Sequence, residues 1–333
     1  MRKKLIALTL VLLLGCLFAA ASQAKPFYEG KVIKIIASTK PGGGYDWYAR
    51  LIAQFMEKHL PGSTFIVKNV PGAGHIIGTN ELYMSKPNGL TIGTFNRAVG
   101  LPQVVGLKGV KFDFAKLNFL GSPCSETYAY IVNSKMFKDI YEVKKYPDKI
   151  RLASTGLGTV SYVNPIMLYQ AWGQDNFTIA TGYSGAEMEM ALMRGEADGI
   201  WSSTASRQAI LESGEGRIVL LVGRNKPKGY EDVPLIENVL TDPKDKPIVT
   251  LLRGIQLVGR PFAAPPGVPA DRLKILREAF ENACNDPEAV AIAEKGDRPM
   301  DFVTWQDAQE WAEGMLQLSP AVVAKLKEAF GVK

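Results

Sequence analysis

The feature that most restricts the fold of this chain is a strand-like run that ends in a glycine-rich turn and leads into a helical pattern. The run KVIKIIAS at residues 31–38 is apolar and β-branched, the turn PGGG follows it, and apolar residues from Tyr48 onward recur at helical spacing. The run STFIVKNV at 63–70 and the turn PGAG repeat this order. Strand, turn and helix at this spacing predict a parallel sheet with crossover helices.

The middle of the chain repeats the plan. KIRLAST at 149–155, FTIATGY at 177–183 and DGIWSS at 198–203 are strand-like, and helical patterns separate them. The match between KIIAST and KIRLAST is short, so it suggests two similar α/β lobes without proving a duplication. Segments 119–133 and 246–272 are the candidate crossings between the lobes. A chain that crosses twice forms two lobes that can hinge around a cleft.

The N-terminus has the pattern of a secretion signal. Three basic residues precede an apolar run at 5–21, and ASQA places small residues at a cleavage site after Ala24. Two alternatives stay open. One is an uncleaved membrane anchor, for which the run is short. The other is lipidation of Cys16, because LLGC is similar to a lipoprotein site. We expect residues 1–24 to be a cleaved signal peptide.

Charge and cysteine content set further limits. The 333 residues include 39 Lys and Arg and 33 Asp and Glu, a net charge of +6. Three of the basic residues lie in the predicted signal, which leaves +3 without it. This mild excess, with no basic run, argues against a nucleic-acid partner. Cys124 and Cys284 could pair in an oxidising compartment, but we prefer two isolated buried thiols.

The two glycine turns of the first lobe are suited to an anion. A helix N-terminus exposes unpaired N–H groups and the positive end of the helix dipole. Glycine lets the backbone approach a ligand closely. PGGGYD at 41–46 and PGAGH at 71–75 fall at the same edge of the predicted sheet, where ligands bind. We therefore predict a cradle for a carboxylate or phosphate, although either turn alone could be only a tight connection.

The second lobe offers turns rich in hydroxyl groups at STGLGT, residues 154–159, and TGYSGA, residues 181–186. Their hydroxyls suit a small polar ligand. The residues that carry them are Ser154, Thr155, Thr159, Thr181 and Ser184. Of the charged residues, Asp46 is expected as the N-cap of the first helix, Asp198 either caps a turn or faces the cleft, and Arg207 is expected in solvent.

Other site motifs are incomplete. GAGHIIG at 72–78 approximates a dinucleotide fingerprint, but it has one residue too many, and the following strand ends with Asn96 instead of an acid. TGYSGA has Ala186 where a nucleophile elbow needs glycine. No metal-spaced His and Cys set and no glycine-lysine phosphate loop occurs. We therefore expect no cofactor and no metal.

A catalytic alternative stays open on a few residues. His75 lies in the second glycine turn, where it either contacts a ligand or supports the turn. A hydrolase would use His75 with Asp46 or Asp198. Loss of turnover in a His75→Ala variant would support that alternative over binding.

Several longer stretches resemble one family. KIIASTKPGGGYD, PGAGHIIGTNELY and GLTIGTFN resemble the N-terminal signature of the Bug family, the extracytoplasmic solute receptors of tripartite tricarboxylate transporters. The resemblance continues through ASTGLGTVSYVNPIMLY, TGYSGAEMEMALMRGEADG and FAAPPGVPADRLKILREAF, nearly to the end of the chain. It implies an α/β, two-lobed periplasmic binding protein (Venus-flytrap) fold. Each lobe is a mainly parallel sheet flanked by helices, and two hinge strands join them. We expect lobe one at 25–122 plus 252–333 and lobe two at 123–251.

The resemblance also implies a function. The expected protein is a monomeric periplasmic receptor, not an enzyme. It would capture a small organic acid, such as a dicarboxylate or an aromatic carboxylate, between its lobes. It would then deliver this ligand to membrane subunits of the transporter. A sensor subunit that presents its ligand to a signalling partner is the alternative.

The family's ligand-binding positions can be carried onto this chain at four turns and one acid. They correspond to Gly43, Gly44, Tyr45, Asp46, Gly72, Ala73, Gly74, His75, Ser154, Thr155, Gly158, Thr159, Tyr183, Ser184, Gly185 and Asp198. Three positions depart from the family. Tyr45 stands where Thr or Ser is frequent, His75 where Gly is frequent, and Tyr162 near the position of a histidine. Whether these rings line the cleft or point outward stays open.

Overall fold

The computed structural model of the protein describes residues 26–332. The predicted signal peptide, its cleavage site and Cys16 lie outside the described residues. The strands are β1 (Val32–Ala37), β2 (Thr64–Asn69), β3 (Thr91–Thr94), β4 (Asn118–Gly121), β5 (Tyr128–Asn133), β6 (Ile150–Ala153), β7 (Phe177–Ala180), β8 (Gly199–Ser203), β9 (Gly216–Val222) and β10 (Phe262–Ala264). The helices are α1 (Gly44–His59), α2 (Ile76–Tyr83), α3 (Leu101–Val104), α4 (Ile140–Lys145), α5 (Val160–Trp172), α6 (Gly185–Met193), α7 (Gln208–Glu212), α8 (Ile236–Val239), α9 (Lys246–Ile255), α10 (Ala270–Cys284), α11 (Pro287–Lys295), α12 (Trp305–Met315) and α13 (Pro320–Phe330).

The strands form two five-stranded sheets. The order is β2-β1-β3-β10-β4 in the first sheet and β7-β6-β8-β5-β9 in the second. In the first sheet only β10 runs against its neighbours, and in the second only β5 does. Each sheet therefore has four strands in one direction, which confirms two mainly parallel α/β lobes.

Helices cover both faces of the first sheet. β1 buries Ile33 and Ile35 in a core beneath α1 and α10, and Ile36 belongs to a core on the other face. A strand buried on both faces reads as a near-continuous apolar run, which is the pattern of KVIKIIAS.

The lobes are connected by two segments that run side by side. The chain leaves the first sheet after β4 and returns to it before β10. Between these points Glu126 N donates to Gln256 O at 3.2 Å, and Gly259 N donates to Cys124 O at 2.8 Å. These connections bring segments 122–127 and 256–261 together at the base of the cleft.

The C-terminal part of the chain packs against both lobes. α13 contacts α5 of the second lobe and α3 of the first, and α9 contacts both α5 and α12. Tyr162 in α5 takes part, since its hydroxyl donates to Ala329 O at 3.0 Å and its ring packs on Phe330. Tyr162 is therefore a packing residue beneath α13.

Two further findings concern the described residues. Cys124 and Cys284 are both buried and unpaired, which confirms the preferred interpretation of the thiols. Between residues 26 and 332, none of the helices has the length and apolar character required to cross a bilayer.

Candidate functional site

Four turns, two from each lobe, line a cavity of about 390 Å³. The first lobe contributes residues 38–40 and 71–75, and the second contributes 155–157 and 181–184. Each turn follows the carboxyl end of a strand, respectively β1, β2, β6 and β7. Because the carboxyl edges of the two sheets face each other, the structure brings together four turns that the sequence placed far apart.

The lobes are in direct contact at three glycines. Gly74 has φ 59°, in the left-handed region, and a Cβ there would clash with the carbonyl oxygen of Leu157. A Cβ on Gly156 would lie 2.8 Å from the Cα of Gly74. Gly158 approaches the first lobe in the same way, because its Cβ would lie 2.7 Å from Cγ of Pro102. Only glycine allows the turns to meet this closely, so the cleft is closed in this structure.

His75 lines the cavity as a neutral donor. Its Nδ1 accepts from Asn96 N at 3.1 Å, which leaves the proton on Nε2. Burial and, to a lesser degree, the charge of Arg260 lower the pKa of His75 to about 3. Its backbone is left-handed, with φ 75°. At neutral pH the His75 ring therefore carries its proton on Nε2 and has no positive charge.

Tyr45 is directed into the lobe interface. It is buried, its hydroxyl accepts from Arg97 N at 3.1 Å, and its ring packs edge-on against His75 with centroids 5.2 Å apart. The Arg260 guanidinium lies 4.3 Å from the ring centroid on the face of the ring. Burial raises the pKa of Tyr45 to about 12. Tyr45 thus forms the wall behind His75.

Asp46 supports the first glycine turn. It is the third residue of α1, and the N-cap is Gly43, so the expectation of an Asp46 cap is wrong. Its carboxylate accepts from Gly42 N at 3.0 Å, Asn69 Nδ2 at 2.8 Å and Arg50 Nε at 3.1 Å. Burial acts to raise the pKa of Asp46, but these hydrogen bonds outweigh burial and lower it. Asp46 holds the turn against β2 and α1.

The hydroxyl groups of the first turn in lobe two mostly bond to one another. Ser154 and Thr159 are fully buried, and Thr159 Oγ1 donates to Gly156 O at 2.8 Å. Ser161, which the sequence analysis missed, lies 3.0 Å from Ser154 Oγ and accepts from Thr155 N at 3.1 Å. Of the predicted hydroxyls in this turn, Thr155 lines the cavity.

The second turn of lobe two begins α6. Tyr183 and Ser184 line the cavity, and Ser184 caps the helix by accepting from Glu187 N at 3.1 Å. Gly185 is the first residue of α6 and lies against Arg207. The expectation of a solvated Arg207 is wrong: it is buried, and its Nη1 lies 3.1 Å from Glu189 Oε2.

Lys40 and Asn96 connect the lobes, and the sequence analysis assigned neither to the site. Lys40 Nζ, on a side chain 44% exposed, donates to Gly182 O at 3.1 Å and to Glu187 Oε2 at 3.0 Å. Asn96 Oδ1 accepts from Val160 N at 3.3 Å. The only sequence signal for Lys40 was its position immediately before the first glycine turn.

Asp198 has a structural setting away from this cavity. It precedes β8, at the opposite edge of the sheet from the four turns, and Arg151 binds its carboxylate through the backbone N–H and the guanidinium. Asp46 is likewise held by its own partners. Within residues 26–332 neither aspartate is hydrogen-bonded to His75, so the pair that a hydrolase would need is not assembled. In the same part of the chain, no group of three or more His, Cys, Asp and Glu residues is placed to hold a metal.

The comparisons with known proteins agree with this architecture. Residues 48–327 match the model of the tripartite tricarboxylate transporter family receptor. A UPF0065 protein of Bordetella pertussis is 24% identical over 284 residues, which cover 83% of this chain and 84% of that protein.

Two solved structures show the same fold. The periplasmic binding protein BugD has a TM-score of 0.75 at 20% identity and covers 92% of this chain and 99% of its own. MatC from Rhodopseudomonas palustris, solved with bound malate, has a TM-score of 0.72 at 18% identity. The match covers 90% of this chain and 99% of MatC. The family match confirms the resemblance seen in the sequence: the chain belongs to the receptor family of the tripartite tricarboxylate transporters.

Proposed function

We propose that this chain is a periplasmic receptor that captures a small carboxylate between its lobes and delivers it to the membrane subunits of a tripartite tricarboxylate-type transporter. The observation that carries the proposal is the cavity of about 390 Å³ that four turns from the two lobes line. Its size lies in the range of small-ligand sites. Family membership supports the receptor role, and the malate bound to MatC supports a carboxylate ligand.

Capture begins at the first lobe. The turn at 71–75 offers backbone groups at the N-terminal end of α2, together with the Nε2–H of His75. These donors are neutral, so they bind an anion by dipoles that the fold has already oriented. The helix end also favours negative charge. A ligand held in this way can still leave when the lobes open.

Closure then adds the second lobe. Thr155, Tyr183 and Ser184 line the other side of the cavity, and Lys40 spans both lobes at Glu187. A ligand that contacts both lobes binds the closed form better than the open form, and this difference drives closure. Ser154, Thr159 and the Asp46 network hold the turns in position.

The test is ligand binding by the mature chain. We expect a small dicarboxylate to raise the melting temperature by mass action and to give a calorimetric binding signal. A panel of monocarboxylates, dicarboxylates and aromatic acids that produces neither effect contradicts the proposal. Mass spectrometry of protein purified without refolding would identify a retained ligand directly.

Two further measurements address the finer parts of the proposal. Deletion of the gene should abolish uptake of the bound acid. A loss of transcriptional response with normal uptake would instead indicate a sensor subunit. N-terminal sequencing of the exported protein should begin after Ala24, whereas a lipid on Cys16 would indicate an anchored form.

A further inference from the structure

A second cavity, of about 640 Å³, lies in a groove between α9 and α12. We call it the α9–α12 groove. Its walls come from residues 243–257, on and around α9, and from residues 311–322, which lead from α12 into α13. None of these residues lines the cavity between the four turns. The volume of the groove lies in the range of small-molecule sites, so it is a separate candidate for a ligand.

The floor of the α9–α12 groove is apolar. Leu251 and Ile255 of α9, Met315 of α12 and Val322 of α13 all line it, and each is at most 6% exposed. The ring of Trp311 lines it as well. Burial of apolar surface on such a floor is favourable, so the groove suits a ligand with an apolar body.

Two glycines keep the groove open. Gly254 in α9 and Gly314 in α12 both line it, and a Cβ added at either would meet no heavy atom within 4 Å. Neither has a positive φ, so the backbone conformation does not require glycine at these positions. The helices do not meet there as closely as the lobes do at Gly74. Side chains at these two positions would narrow the groove, and glycine leaves that space to a ligand.

The groove has one charged residue, Lys246, among those that line it. Lys246 is exposed in the first turn of α9, and it forms no ion pair within residues 26–332. The nearby acid Asp242 is already paired with Lys244 at 2.9 Å. Lys246 and Gly254 lie about 12 Å apart along the axis of α9, about the length of an extended ten-carbon chain. The groove therefore combines an apolar floor with an unpaired cation toward one end.

We propose that the α9–α12 groove is a second ligand site, which binds an amphiphilic anion with an unbranched apolar chain. The chain lies along the floor formed by α9 and α12, and a single carboxylate lies at Lys246. The small polar acids proposed for the cavity between the four turns lack such a chain, so the two sites take different ligands. This inference goes beyond the proposed function and does not depend on it.

The experiment is calorimetry on the mature chain with decanoate, below the concentration at which it forms micelles. We expect one decanoate to bind per chain. In the series hexanoate, octanoate and decanoate, each added pair of methylene groups should tighten binding about five- to tenfold, because more apolar surface is buried. Decyltrimethylammonium has the same chain with a positive head and should bind more weakly than decanoate.

Variants at the walls locate the site. Gly254→Leu fills the groove and should weaken decanoate binding about tenfold or more, whereas Gly254→Ala leaves most of the space and should change it less than twofold. Gly314→Leu fills the groove from α12 and should have the same effect, so the test does not rest on one variant. The matched control is Gly296→Leu, which lies outside both cavities and whose Cβ would meet its nearest atom at 3.5 Å.

The role of Lys246 has its own measurement. Lys246→Gln should weaken decanoate binding about two- to fivefold at low salt, because an exposed ion pair contributes little. The difference from wild type should shrink at high salt. Binding of decyltrimethylammonium as tight as that of decanoate would overturn the choice of an anion. Circular dichroism and melting temperature establish that each variant folds.

The remaining outcomes decide the site itself. A wild type that does not bind decanoate overturns the proposal, and so does equal affinity in wild type, Gly254→Leu and Gly314→Leu. An equal loss in Gly296→Leu would show that the groove is not the cause. Sedimentation of the chain without ligand checks another occupant: a dimer that Gly254→Leu disperses would mean that a second copy covers the groove, and would also overturn the proposal.

Discussion

The two lobes share one plan but present different chemistry to the cavity. The first lobe contributes backbone at Gly72–Gly74 and the ring of His75, and a carboxylate, Asp46, holds one of its turns in place. The second lobe contributes side-chain groups, and a network of hydroxyls around Ser161 holds its first turn. The difference indicates that a charged group supports the first glycine turn of lobe one, whereas neutral hydroxyls support the first turn of lobe two.

The largest expected effect comes from the contact between the lobes. Gly74→Ala places a methyl group against Leu157 O at a left-handed residue, so it should oppose closure. We expect affinity for the bound acid to fall about 100-fold, or ~3 kcal/mol, in calorimetry. Small-angle scattering should show a larger radius of gyration with ligand present. The control is Gly314→Ala in α12, where the added methyl group meets no neighbour; an equal loss in both variants would contradict the assignment.

The second prediction concerns His75 in the first lobe and the pH dependence of the free energy of unfolding. Because the pKa of His75 is lowered to about 3, the unfolded state binds more protons than the native state between about pH 6.5 and pH 3. Stability should therefore fall as the pH decreases through this window, by about 1 kcal/mol per pH unit from this group. Urea unfolding of wild type and His75→Asn between pH 7 and 4.5 measures it. A variant with the same slope as wild type would show that another group is responsible.

The third effect compares the supports of the two lobes directly. Asp46→Ala leaves Gly42 N without its side-chain acceptor and removes one of the two acceptors of Asn69 Nδ2, so it should reduce the free energy of unfolding by about 2 kcal/mol. Ser154→Ala removes a neutral hydroxyl and should reduce it by about 1 kcal/mol. Hydrogen bonding lowers the pKa of Asp46, so its contribution is present above about pH 4 and is lost as the pH falls below that value. Equal losses, with the same pH dependence, would remove the distinction between the lobes.

The smallest effect is expected at the ion pair that spans the lobes. Lys40→Met should increase the dissociation rate of the ligand about two- to fivefold, because exposed ion pairs contribute little. Stopped-flow measurements at low and high salt test this, and the difference from wild type should shrink as salt increases. Glu187→Gln should have a similar effect, and the double variant should add nothing to either single change. Additive effects would show that the two residues act separately.

Much of the fold could be predicted because its information is local. The apolar runs of β1, β2 and β6–β8 and the glycine turns after them lie within a few residues of each other. β5 and β9 were not predicted as strands. Both strands lie in the second lobe, and each forms an antiparallel pair with a strand that is distant in sequence. β5 pairs with β8, about 70 positions away, and with β9, about 90 positions away.

Prediction of the site was limited by the direction of side chains. The turns at 71–75 and 155–157 line the cavity, whereas the carboxylates of Asp46 and Asp198 are held by Asn69 and Arg151. A sequence places a residue after a strand, but it does not show which of several nearby donors its carboxylate will bind.

The sequence by itself determined the alternation of strand, glycine turn and helix, and with it the two α/β lobes and the family. These features follow from local conformation and from the period of apolar residues. The tertiary structure alone decided the contact of Gly74 with Leu157, the bridge from Lys40 to Glu187, and the buried ion pairs of Glu126 with Arg97 and Arg260. Each of these joins residues from distant parts of the chain, and they meet only because the carboxyl edges of two sheets close on each other.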